Sequence, residues 1–232
     1  MRRLLRILVP NWLFVPLTIA AFIVAGNVAL TSGPVAASAA SSRAWSGERQ
    51  ASGLIRFWVD QRFSPAETAA IRAAFATWQG DPLSDVTFEF MGATPTPDHA
   101  VDDGRNVVVR SARPLVDAPS NTALAVTHRV LFEGTSIYRD TDVVIDFSGR
   151  VRWGTGADPR GQDLQSLVTH EVGHVLGLDH VTDPDQVMYP VYSPGRIDKR
   201  ELRWGDLATV AEVYPQPLEA TTRPVSSPPV PR

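Results

Sequence analysis

The run from His170 to His180, H-E-V-G-H-V-L-G-L-D-H, constrains this 232-residue chain more than any other feature. It holds three of only five histidines. Residues four apart on a helix share a face, so His170 and His174 present two imidazoles in one direction. Gly177 follows three residues later. Glycine reaches backbone angles closed to other residues, which suits a helix end and a reversal of the chain. His180 then returns from outside the helix toward the first two rings. The fold must therefore supply a helix over 170–174, a stop at Gly177, and a scaffold that brings the chain back.

Three imidazoles at this spacing suit one zinc ion at roughly 2.0–2.1 Å, and three protein ligands leave a fourth tetrahedral position open to water. That is the composition of a catalytic rather than a structural zinc site. Glu171 adjoins the first ligand and is the natural general base. Zinc lowers the pKa of water toward about 7, and a nearby carboxylate can take its proton during attack on a carbonyl. The same ion stabilises the tetrahedral oxyanion. The reading is hydrolysis of peptide bonds by a zinc-activated water, with no covalent intermediate. The chain has no cysteine to act as a competing nucleophile. The five fixed positions arise by chance in a chain this long on the order of once in 10^5, so accident is set aside. The alternative function is a non-catalytic, zinc-dependent peptide-binding domain at the cell surface; the intact Glu171 argues against it.

H-E-x-x-H-x-x-G-x-x-H followed by a methionine turn resembles the metzincin zinc peptidases. Val187-Met188-Tyr189-Pro190 is similar to the turn of the matrixin branch, which contains the matrix metalloproteinases. The resemblance implies that Met188 lies as an apolar floor beneath the zinc histidines without ligating the metal. It also implies that Pro190, Val191 and Tyr192 wall an apolar pocket for the residue after the cleaved bond, with Ser166 at the position that sets pocket depth. An extended peptide substrate would pair with an edge strand, for which residues 122–130 are the candidate by chain order; a plain interior strand is the alternative. Structural calcium occurs in the family, and Asp140, Asp142, Asp146 and Asp158 are the candidate ligands here. His99 and His128 do not reproduce the family's second-zinc pattern. Without a cysteine, the thiol latch of animal matrixins is excluded.

Residues 1–40 open with Arg2, Arg3 and Arg6 and continue as a long apolar stretch. This is either a secretory signal cleaved near Ala37-Ser38-Ala39 or an uncleaved N-terminal membrane anchor. Both place the remainder outside the cytoplasm, secreted or tethered. Residues 41–52 read as a linker, 53–215 as the catalytic domain, and 216–232 as a disordered proline-rich tail. Of the 22 basic residues three lie in the leader, leaving 19 against 25 acidic, and no basic stripe suggests a nucleic-acid partner. The expected partner is a protein or peptide substrate, and the expected state is a monomer.

Within the domain, residues 54–59 (LIRFWV) predict a strand, and Ser64-Pro65-Ala66-Glu67 a capping box opening a helix. Ile71, Phe75 and Trp78 then fall on one helical face, with Trp78 read as core. Further strands are expected over 85–90, 106–110, 122–132 and 142–147. The metal-binding helix is expected over 162–176, one face buried and the other lining a cleft. A last helix is expected over 206–213. The fold class is α+β and zincin-like: a twisted mixed sheet of about five strands packed on two long helices, with a C-terminal helix after the methionine turn.

Overall fold

Alternation in 54–60 sets the first layer. Ile55, Phe57 and Val59 are buried while Leu54 and Arg56 face water, giving strand β2 (Leu54–Asp60) one dry face. The computed structural model describes residues 11–12, 45–115, 123–156 and 161–217. Most of the leader, Asp158, and the tail from residue 218 lie outside them. Among the described residues no helix is long and apolar enough to cross a membrane.

The other strands are β1 (Asn11–Trp12), β3 (Thr87–Thr94), β4 (Asn106–Ser111), β5 (Ala125–Leu131) and β6 (Tyr138–Asp146). They form one sheet in the order β1-β5-β6-β4-β2-β3. β2, β3, β4 and β6 pair in parallel, while β5 runs antiparallel to β6. The expected five strands are thus present, and the two-residue β1 adds a sixth at the margin. The central strands carry valine runs because both faces are covered: Val107 and Val109 pack on one side, Val108 and Val143 on the other.

Helix α1 (Pro65–Thr77) starts where the capping box predicts. Ser64 Oγ accepts from the Glu67 N–H at 3.3 Å and Glu67 Oε2 accepts from the Ser64 N–H at 2.7 Å. Ile71, Phe75 and Trp78 are buried together, and Phe75 stacks on Phe57 with ring centroids 3.8 Å apart. The Trp78 indole donates to the Thr169 carbonyl at 2.7 Å, tying α1 to the second long helix.

That helix, α2 (Leu164–Val175), begins two residues later than expected. Gln162–Asp163 instead form a short strand, β8, beside β7 (Trp153–Gly154), and Asp163 becomes the N-cap, accepting from the Ser166 N–H at 2.8 Å. The division into a buried and a cleft-lining face is not what the structure shows. Every residue of α2 except Gln165 is buried, because α1, the sheet and the chain after residue 180 enclose it. Helix α3 (Trp204–Val213) closes the domain.

Residues 45–52, read from sequence as linker, run against the end of α2. Ser46 donates its N–H to the Gly177 carbonyl at 2.9 Å, and the buried Gln50 side chain donates to the Val175 carbonyl at 3.2 Å. The Tyr214 hydroxyl accepts from the Gln50 N–H and donates to the Leu176 carbonyl, both at 2.9 Å. Residues 45–52 are thus packed onto the domain rather than free of it.

Candidate metal centre

Helix α2 ends in a Schellman motif. Gly177 has φ of +96° and donates its N–H to His174 O at 3.0 Å, while Leu178 donates to Gly173 O at 2.9 Å. A Cβ at Gly177 would also lie 2.0 Å from Glu48 O, so both conformation and space require glycine. The reversal aims His180 back at the helix. His180 Nε2 lies 3.1 Å from His170 Nε2 and 3.2 Å from His174 Nε2.

These spacings pass a geometric test for zinc. A tetrahedral ion with bonds of about 2.0–2.1 Å separates its ligand atoms by about 3.3 Å. The tautomers agree. His170 Nδ1 donates to Val187 O and His174 Nδ1 to Leu178 O, both at 2.7 Å, which leaves each Nε2 as a lone pair facing the centre. Burial, together with the neighbouring imidazoles, keeps His170 and His174 neutral, well below the ordinary histidine range. Burial takes His180 down to about 4 against the opposing Asp179. Among the described residues this trio is the one grouping of histidine and acidic side chains with the geometry of a metal site.

Glu171 is fully buried. Its Oε2 accepts from the Thr127 hydroxyl of β5 at 2.6 Å, and its Oε1 has no partner. Burial pushes its pKa up to about 7, with the Thr127 bond opposing. A dication nearby would favour the carboxylate and lower that value.

Met188 is buried against the helix backbone between the two helical ligands. A Cβ at Gly173 would sit 2.2 Å from Met188 Sδ, so glycine admits the methionine there. The turn is held from three sides: the Val181 N–H donates to Met188 O, Asp206 Oδ2 accepts from the Val187 N–H, and the Lys199 ammonium donates to Val187 O and Tyr189 O.

A family model for Matrixin matches residues 59–215. The chain belongs to the matrixin family. It thus carries the domain of a zinc metalloendopeptidase, and the histidine trio is the group with the geometry to hold its zinc. Matrix metalloproteinase-16 of Homo sapiens is 29% identical over 164 residues, covering 69% of this chain and 26% of that protein. Matrilysin of Felis catus is 45% identical over 65 residues, 27% of this chain and 24% of its own length. Metalloendoproteinase 1-MMP of Arabidopsis thaliana is 43% identical over 59 residues, 25% of this chain and 16% of its own length. The matched region thus spans about a quarter or less of these relatives.

Other positions in this matrixin domain depart from expectation. Beside the metal centre lies a cavity of about 150 Å³ lined by Ser166, Val191 and Tyr192, but not by Pro190. It is not purely apolar, because Ser193, Arg196, Asp198 and the buried Lys199 line it too. The calcium expectation gains no support. Asp140 accepts from the N–H groups of Asp103 and Gly104, Asp142 from those of Val101 and Val107, and Asp146 binds Arg150. Oxygens turned toward N–H donors are poorly disposed to a cation. Sequence reasoning missed Thr127 and Lys199. A threonine in a strand and a lysine in a polar loop carry no local signal, and their roles come from contacts 44 and 12 residues away.

Proposed function

We propose that this matrixin domain hydrolyses peptide bonds of extracytoplasmic proteins or peptides, with Glu171 as general base. The observation that carries the reading is the division of labour at Glu171: one oxygen is anchored by Thr127 and the other is buried without a partner, next along the helix to a zinc ligand. A bound zinc supplies Lewis acidity toward water and the scissile carbonyl. Glu171 Oε1 takes the proton of the attacking water and passes it to the leaving amine. The Thr127 hydroxyl holds the other oxygen, so the carboxylate needs no reorientation between the two transfers.

The substrate lies extended along the outer edge of β5. In support, among the described residues β5 sits at the sheet margin with only Asn11–Trp12 beyond it, paired antiparallel opposite Val126 and Thr127. A strand there reads peptide backbone, and side-chain pockets read sequence. The extracytoplasmic setting rests on the basic and apolar leader.

The test is cleavage of a broad peptide library by the purified, zinc-loaded protein. Activity should disappear with chelator, return with zinc, and be lost in Glu171→Gln. Cleavage that persists through chelation or in Glu171→Gln would overturn the assignment.

A further inference from the structure

The cavity beside the metal centre is lined by the exposed Ser193, Arg196 and Asp198 and by two buried polar residues, Lys199 and Ser166. Lys199 is 7% exposed, and its Nζ donates to two carbonyls, Val187 at 3.1 Å and Tyr189, while lying 4.2 Å from the Tyr192 ring centroid. An ammonium has three donors, so one N–H remains. Among the described residues none of its hydrogen bonds goes to a carboxylate. Asp198, which also lines the cavity, is bound by Arg196. Asp206 accepts from the Val187 and Arg203 N–H groups through one oxygen, and Glu171 from Thr127 through one. All three carboxylates act on the ammonium only through space. The second group is Ser166 Oγ, buried and unpartnered. Both residues line the same cavity.

A buried hydroxyl without a partner is destabilising, and so is a buried ammonium whose hydrogen bonds reach no carboxylate. Holding the turn at 187–189 accounts for two donors of Lys199, but a neutral amide could do the same. The third N–H of the ammonium and the serine hydroxyl are left over.

We propose that Lys199 and Ser166 make this a pocket for an acidic side chain, glutamate foremost, at the substrate residue following the cleaved bond. The inference rests on the peptidase reading above. A carboxylate entering the cavity accepts from both the ammonium and the hydroxyl, in a charge-assisted hydrogen bond that none of the neighbouring carboxylates makes to Lys199. A leucine side chain would leave both groups buried and unsatisfied.

The experiment compares two peptides identical except for glutamate or leucine after the scissile bond. The zinc-loaded protein should favour glutamate in kcat/KM by at least about tenfold. Lys199→Gln keeps donors for the Val187 and Tyr189 carbonyls but removes the charge, and should bring the glutamate-to-leucine ratio to about one. Ser166→Ala, remote from the turn, should lower the ratio a few-fold. A wild-type ratio at or below one overturns the proposal. So does an equal loss on both peptides in Lys199→Gln, the signature of a residue that only supports the turn.

If neither peptide is cleaved, the peptidase reading fails on its own. Calorimetry with two hydroxamates, bearing a carboxyethyl or an isobutyl side chain, then decides the pocket. Tighter binding of the acid, lost in Lys199→Gln, sustains it, and equal or reversed binding ends it.

Discussion

Glu171 and Asp142 are both buried carboxylates, and burial raises each to about 7. They differ in what meets their oxygens. Asp142, on β6, has both filled: the Val101 and Val107 N–H groups donate at 2.8 Å each. Glu171, on α2, has one filled by Thr127 and one left over. A shifted proton affinity therefore marks burial alone. An unfilled acceptor beside three converging imidazoles marks a place for chemistry.

The contrast is broken most sharply by removing each charge in turn. Glu171→Gln should lower kcat/KM by about 10^2–10^4 while elemental analysis still finds one zinc. Asp142→Asn should leave kcat/KM within a few-fold but lower unfolding stability by about 1–3 kcal/mol, read by denaturant titration, because one N–H loses its acceptor. Equal activity losses in the two variants would erase the distinction.

Thr127→Val probes the anchored oxygen and should reduce kcat/KM by about tenfold. The hydroxyl lowers the Glu171 pKa, so its loss should also move the acid limb of the pH–rate profile to higher pH. A lower rate with an unmoved limb would make Thr127 a packing residue only. Gly173→Ala tests the floor of the site. The new Cβ meets Met188 Sδ, and overpacking should cost about 1–3 kcal/mol, seen as a lower melting temperature.

The smallest effect is on stability against pH. Asp142 has a folded-state pKa of about 7 against an ordinary 3.8, so the folded protein holds a proton that the unfolded chain has released. That contribution is complete below 3.8 and is lost as pH rises through about 7. Wild type should therefore lead Asp142→Asn by most near the acid end of this window and by less above it. Denaturant titrations at both ends check the sign, and a lead that widens with pH would contradict it.

Where a function depends on close sequence neighbours, the chain could be read directly. The spacing of His170, His174 and His180, the helix stop at Gly177 and the capping box at Ser64 are local, and their geometry follows from helical periodicity and backbone freedom. Strand positions came within a few residues for the same reason. The burial of α2 did not, because a helix enclosed on all sides shows no polar face to distinguish it. Nor did residues 45–52, whose docking depends on Gln50 meeting the carbonyl of Val175.

Sequence by itself determined that His170, His174 and His180 converge, that Glu171 stands beside them and that the matrixin turn follows, since one helix and one reversal of the chain bring those groups together. Tertiary structure alone decided which oxygen of Glu171 is anchored, what cation lies under Tyr192, and which carboxylates are already satisfied. Those outcomes depend on pairs far apart in the chain, such as Thr127 with Glu171, and only packing of the sheet against the helix sets such distances.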